Sequence, residues 1–286
     1  MQKVKISTDS TADIPAKLRE KFEIGMLPMT IITDEREYLD GVDMQPEEFY
    51  ELLVKSEKLP STSQVRASFY NDLFEETWRD GYHDLVHVTI NGKGSGTFQA
   101  GVLARDLFFE EHPEAKGNFN IHVIDSGTYS MAYGWAVVEA AQKAQQGADV
   151  NDIIAGIEDW LANVRLLFVP LTLKYVKKSG RVSAAAAFVG DALGLKPIIT
   201  FEDGESKVLS KVRGEAKTMS AVLDMAKKEK KDGTPYMLVY GAAEDSYAKF
   251  KKMAVKEFGK PALEYSVGSV ISLNSGPEIF AIIYRK

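Results

Sequence analysis

Apolar and polar positions along the first half of the chain switch between a short strand rhythm and a longer helical one. Residues 4–7 read as a buried strand that runs into the polar stretch Thr8-Asp9-Ser10-Thr11-Ala12-Asp13. Its hydroxyl and carboxylate side chains suit the capping of a helix that begins near Pro15. Residues 25–33 form a second apolar strand pattern. Residues 45–55 read as a helix with Pro46 in its first turn and Phe49, Leu52 and Leu53 on one face, and residues 67–79 as another with Phe69, Leu73 and Phe74 inward. A strand at 84–90, a glycine-rich loop at 91–97, a helix at 98–109, a strand at 120–125 and a helix at 131–146 follow. Strand and helix at this spacing predict a parallel sheet with crossover helices. Ligands of such sheets sit beyond the carboxyl ends of the strands, where the loops at Thr8, Gly92 and Asp125 fall.

The rhythm changes after Asp149. A helix at 151–164 leads to a strand at 166–171 and to an alanine-rich, mostly helical stretch at 174–194. Residues 196–200 and 206–211 flank Asp203-Gly204, a hairpin signature. A helix at 215–230, a strand at 237–240, a helix at 246–258 and closing strands at 267–273 and 280–284 complete the pattern. The fold class expected is α/β in two lobes: an N-terminal parallel-sheet α/β domain over 1–164 and a C-terminal α+β domain over 165–286.

Composition narrows the partners. The 286 residues are 45% hydrophobic and 27% charged, enough apolar material for a large core. The net charge of -6 and the absence of a basic stripe argue against a nucleic-acid surface. The run Lys227-Lys228-Glu229-Lys230-Lys231 ends a helix pattern and reads as a solvated last turn. Without cysteine there is no disulfide, thiolate nucleophile or cysteine metal site. The N-terminus lacks the apolar stretch of a signal peptide, and no apolar run reaches the ~20 residues of a membrane span. The expected compartment is the cytoplasm, with at most transient membrane contact, and a monomer is the default.

The glycine-rich loop is the most pointed local feature. Ser95 stands between Gly94 and Gly96 ahead of a helix, a setting that turns backbone N–H groups outward and favours an anion. The plainer reading is a tight turn with a solvated serine. A nucleophile elbow is excluded because Lys93 and Thr97 stand where glycines are needed. A Walker A loop is excluded because Gly94 follows Lys93, and a dinucleotide fingerprint because its third glycine is misplaced. The four histidines, His83, His87, His112 and His122, show no metal spacing, so no metal site is expected. His87 and His122 fall within strands and read as buried or edge residues.

Several segments, in order along the whole chain, resemble the DegV family of bacterial fatty-acid-binding proteins. They are Thr8-Asp9-Ser10-Thr11-Ala12-Asp13-Ile14-Pro15, Pro60-Ser61-Thr62-Ser63-Gln64, Ser95-Gly96-Thr97-Phe98-Gln99-Ala100, Val123-Ile124-Asp125-Ser126 and Tyr175-Val176-Lys177-Lys178-Ser179-Gly180-Arg181-Val182. Leu195-Lys196-Pro197-Ile198 and Asp203-Gly204 follow in family order. The resemblance implies an acyl chain in a buried tunnel, between or within the lobes, with its carboxylate near the lobe interface. It implies a carrier rather than an enzyme, one that presents the fatty acid to a separate fatty acid kinase for acyl-phosphate formation. No cofactor is expected beyond the bound fatty acid.

Burying an acyl chain gains roughly 0.8 kcal/mol per CH₂, and the carboxylate then needs hydrogen-bond donors. The resemblance nominates Thr62, Ser63, Ser95, Gly96, Thr97, Asn274 and Ser275 as those donors. For Thr62 and Ser63 the other reading is helix capping, and for Asn274 a turn. The family places a histidine and a glycine where this chain has Asn274 and Glu278, and a serine pair where it has Asn91-Gly92. Asn274 can donate but cannot carry charge; Lys93 is a nearby cation expected to offset the loss. Arg181 and Arg213 match kinase-docking positions, against a reading as surface salt bridges. Phe98, Phe168, Phe188, Phe201 and the run Ala184 to Ala187 are candidates for tunnel or plain core. Two rivals remain: a dihydroxyacetone-kinase-like binding domain, for which no histidine stands in the loops, and a hydrolase acting at Ser95, for which no base is nominated.

Overall fold

The computed structural model describes residues 3–183 and 194–286. The chain forms two compact units, one of Met1–Asp43 and Thr62–Ala162, the other of Met44–Ser61 and Asn163–Lys286. Phe188 and the run Ala184 to Ala187, expected as tunnel or core and as part of a long helix, lie outside the described residues.

The first unit is built on β1 (Val4–Asp9), α1 (Ala16–Lys21), β2 (Gly25–Leu27), β3 (Thr30–Ile32) and β4 (Glu37–Leu39). The second unit then takes α2 (Pro46–Lys55), and β5 (Ser61–Ser63) returns the chain to the first. There α3 (Ala67–Arg79), β6 (Asp84–Thr89), α4 (Thr97–Glu111), β7 (Asn120–Asp125), α5 (Met131–Gln145) and α6 (Val150–Asn163) follow. Four strands form a sheet in the order β2-β1-β6-β7, every pair parallel. The chain leaves β1 toward β2 on one side and later toward β6 on the other. The point between β1 and β6 is therefore a topological switch point, where the loops beyond the strands diverge and leave a crevice. The indole of Trp160 donates to the Ala132 carbonyl at 2.7 Å and ties α6 to α5.

The second unit continues with β8 (Val164–Pro170), α7 (Lys174–Ser179), β9 (Leu195–Glu202), β10 (Glu205–Arg213), α8 (Glu215–Glu229) and β11 (Tyr236–Tyr240). It ends with α9 (Glu244–Phe258), β12 (Leu263–Ser266), α10 (Ser269–Ser275) and β13 (Ile279–Arg285). Its sheet runs β10-β9-β8-β13-β11-β12, antiparallel except for the β11–β12 pair. One face carries Leu167, Val169, Leu238, Phe280 and Ile282 into a core shared with Met219 and Val222 of α8 and Phe250 of α9. On that side Arg165 is clamped by Glu202 at 2.6 Å and Glu229 at 3.1 Å, and the Tyr284 hydroxyl donates to Glu229 at 2.8 Å.

Three expectations are corrected. Residues 25–33 are not one strand: Pro28, which lacks a backbone donor, separates β2 in the parallel sheet from β3 in a three-stranded sheet, β4-β3-β5. Residues 267–273 are not a closing strand. Residues 269–275 form α10 after an extended Gly268, with Val270 and Leu273, three apart, on its buried face and Val267 just ahead of it; the strand is the shorter β12 before it. The polar run after β1 does not cap α1, whose Pro15 N-cap position makes no side-chain bond; Asp9 caps a 3₁₀ turn over Ser10–Ala12 instead.

Candidate functional site

The carboxyl ends of β1, β6 and β7 carry the polar loops of the first unit, and Asp9 joins two of them at the switch point. Its side chain accepts from Ile90 N–H at 2.7 Å, from Thr11 N–H at 3.0 Å, from the Tyr133 hydroxyl at 2.8 Å and from the Thr11 hydroxyl. Burial raises its pKa, and these donors pull it back. Thr8 Oγ1 donates to Val88 O at 2.7 Å beside it. The Asp9 carboxylate is committed to protein donors and works as a staple across the crevice.

The glycine-rich loop after β6 winds around Asn91. The Asn91 carbonyl accepts Gly94 N–H at 3.0 Å and Ser95 N–H at 3.1 Å, its Oδ1 accepts Lys93 N–H at 3.1 Å, and its Nδ2 donates to Tyr129 Oη at 2.8 Å. Asp125 at the end of β7 accepts Gly92 N–H at 2.8 Å. Each loop glycine is a close approach rather than a left-handed turn. A Cβ at position 92 would lie 2.6 Å from Asp125 Oδ2, at 94 2.2 Å from Tyr129 Oη, and at 96 2.0 Å from Gln64 Oε1.

At the loop's end Ser95 Oγ and Thr97 Oγ1 lie 2.9 Å apart, and Ser95 Oγ accepts Thr97 N–H at 3.3 Å. Thr97 is fully buried, Ser95 half-buried and Gly96 exposed at the N-cap of α4. The first turn of this 15-residue helix presents backbone donors and the positive end of its dipole to whatever lies beyond.

Thr62 and Ser63 lie in β5 and cap nothing: α3 starts at Ala67, with Arg66 in the N-cap position and no side-chain cap. Asn274 is not in a turn; it ends α10, where its Nδ2 donates to Val270 O at 2.8 Å, and Ser275 Oγ donates to Ile271 O at 3.0 Å. Thr62, Ser63, Ser95, Gly96 and Thr97 thus belong to the first unit, Asn274 and Ser275 to the second. Arg181 and Arg213 are exposed on the second unit, and Arg181 Nη1 donates to Ser179 O at 2.8 Å.

The histidines are all engaged away from Ser95. His87 is fully buried against Ser7 Oγ at 2.9 Å, and burial lowers its pKa to about 3. His122 faces Asp84, His112 pairs with Glu75, and the His83 ring accepts Lys3 N–H. Among the described residues no cluster of His, Asp and Glu is arranged to hold a metal. No helix among them is long and apolar enough to cross a membrane.

In the second unit the sheet face away from the α8–α9 core is also apolar. Leu166, Ile199, Val239, Ala281 and Ile283 lie on it by strand alternation and register, all buried. Phe168 joins them and stacks on Phe201 at 5.8 Å and 6°.

A family model described as uncharacterised protein, DegV family, matches residues 3–286. The chain belongs to the DegV family. A DegV domain-containing protein of Clostridium perfringens is 33% identical over 285 residues, 99% of each chain. Two solved structures share the fold over the whole length. One, from Eubacterium ventriosum, is described as a fatty-acid (stearic acid)-binding protein; it is 26% identical with a TM-score of 0.89 and covers 100% of this chain and 99% of its own. The other, described as fatty acid binding of a DegV family protein from Thermus thermophilus, is 25% identical with a TM-score of 0.88 and covers 100% of both chains.

The motifs of this DegV-family chain were legible in its sequence. Gln64, Asp125 and Tyr129 were not assigned as braces of the loop. The signal was there in Gly92, Gly94 and Gly96: glycines two apart, none of them needed for a left-handed turn, imply three close neighbours.

Proposed function

We propose that this chain is a carrier that binds one long-chain fatty acid and presents it to a separate fatty acid kinase, itself transferring no phosphoryl group. The observation that carries the reading is the likeness, over the whole chain at 25–26% identity, to solved proteins described as fatty-acid-binding.

The carboxylate falls to the hydroxyls of Thr62, Ser63, Ser95 and Thr97 and to the backbone at Gly96, with the second N–H of Asn274 as a further donor; Ser275, whose one hydroxyl proton goes to backbone carbonyls, is set aside. A carboxylate withdrawn from water needs such donors, and a helix start favours its charge. Lys93, exposed on the same loop, supplies positive charge that Asn274 cannot. The acyl chain is buried in the second unit, where Phe168 and Phe201 are candidates for its lining, at a gain of roughly 0.8 kcal/mol per CH₂. Arg181 and Arg213 offer planar, bidentate donors to acidic groups of a kinase. A hydrolase at Ser95 is disfavoured because Thr97, not an imidazole, is its side-chain partner.

Native mass spectrometry of the purified protein, followed by organic extraction, tests the reading. One co-purified fatty acid per chain is expected. A ligand-free protein that also refuses added palmitate and oleate would overturn it.

A further inference from the structure

The glycine-rich loop is shaped from outside itself, and we propose that Tyr129 is the positioning residue that sets it for a carboxylate head group. The inference rests on the reading of Ser95, Gly96 and Thr97 as carboxylate donors. Tyr129 stands between β7 and α5, outside the loop, and is almost wholly buried. Its hydroxyl makes two contacts that matter to the loop. It accepts from Asn91 Nδ2 at 2.8 Å, and it lies so close to Gly94 that a Cβ there would come within 2.2 Å.

Asn91 holds three successive loop amides through its own carbonyl and side chain. Whatever fixes the Asn91 amide fixes the path of residues 93–95. Tyr129 does so from one side, and its hydroxyl limits from the other how far Gly94 can approach. The loop leads directly into Ser95 and Thr97, so the height of these hydroxyls is set by the phenol. A donor array placed this way acts on a carboxylate, which accepts several hydrogen bonds, far more than on a hydroxyl head group. Tyr129 therefore tunes selectivity for acid over alcohol without touching the ligand.

Three variants test this: Tyr129→Phe, Gly94→Ala and the pair together, with palmitate and hexadecanol as probes. Tyr129→Phe is expected to weaken palmitate binding about fivefold to tenfold and to leave hexadecanol within about twofold. Gly94→Ala is expected to lose more, because its new methyl meets the hydroxyl. The double variant, with the hydroxyl gone and the nearest ring carbon 3.2 Å from the new methyl, is expected to recover most of that further loss. Equal losses for palmitate and hexadecanol, or a Gly94→Ala protein that binds like the parent, would overturn the proposal. Amide exchange in the ligand-free protein separates this inference from the carrier reading. Faster exchange at Gly94 and Ser95 in Tyr129→Phe is expected even if no fatty acid binds, and unchanged exchange sinks the role of Tyr129 by itself.

Discussion

Asp9 shows how much one buried side chain can hold. Desolvation works against its charge, yet the carboxylate meets four donors from three parts of the first unit. An ionised carboxylate offers about four lone pairs, and an amide only the two on its oxygen. Asp9→Asn keeps the shape, removes the buried charge and turns an NH₂ toward groups that themselves donate. The gain from removing the charge is offset by donors left without acceptors, each costing about 1–3 kcal/mol when buried. Asp9→Asn is expected to lose about 2–3 kcal/mol of stability, read from the urea midpoint at unchanged slope. A midpoint equal to the parent's would mean that the staple between the β1 and β6 loops contributes nothing.

Elements were legible where the local pattern and the tertiary setting agree. The helix Ala67–Arg79 and the strand Asn120–Asp125 have the bounds that their sequence predicts. The hairpin turns where the sequence predicts, although its strands, Leu195–Glu202 and Glu205–Arg213, run longer than 196–200 and 206–211: Asp203 and Gly204 both have positive φ, 52° and 74°, as a two-residue turn matched to strand twist requires. Gly204→Ala places a Cβ in that left-handed position and is expected to cost about 1–2 kcal/mol, measured as a lower urea midpoint. No change would argue that the β9–β10 turn is formed differently. Legibility failed where a short apolar run fits both periods. Val270 and Leu273 fit a strand by composition and a helix by spacing, and burial of both selects the helix. In the candidate site the glycines and hydroxyls were readable, but their neighbours were not. Gln64 precedes Gly96 by a helix and a strand, and Tyr129 follows Gly94 by another such pair, so no local pattern could pair them.

At the scale of the molecule, the two units place their acid-sensitive groups differently. In the first, His87 is buried and neutral, its pKa lowered from 6.5 to about 3 by desolvation. A base depressed in the folded state contributes stability that is full above its unfolded value and is lost as pH falls toward the folded one. The first unit therefore weakens from about pH 6.5 downward, by about 2 kcal/mol at pH 5. Asp9, raised by burial, opposes this at the acid end. In the second unit Glu202 is lowered from 4.5 to about 2, chiefly by hydrogen bonds from Lys207 and Arg165. Its contribution holds above pH 4.5 and fades only below, and solvent at its half-buried side chain reduces it. All three tryptophans, Trp78, Trp135 and Trp160, lie in the first unit, so their fluorescence reports that unit while far-ultraviolet circular dichroism reports both. Urea unfolding between pH 7 and 5 is expected to move the fluorescence midpoint down first. His87→Gln, which keeps a partner for Ser7 but does not titrate, is expected to flatten that slope. A variant whose fluorescence midpoint falls as steeply as the parent's would place the acid sensitivity of the first unit elsewhere.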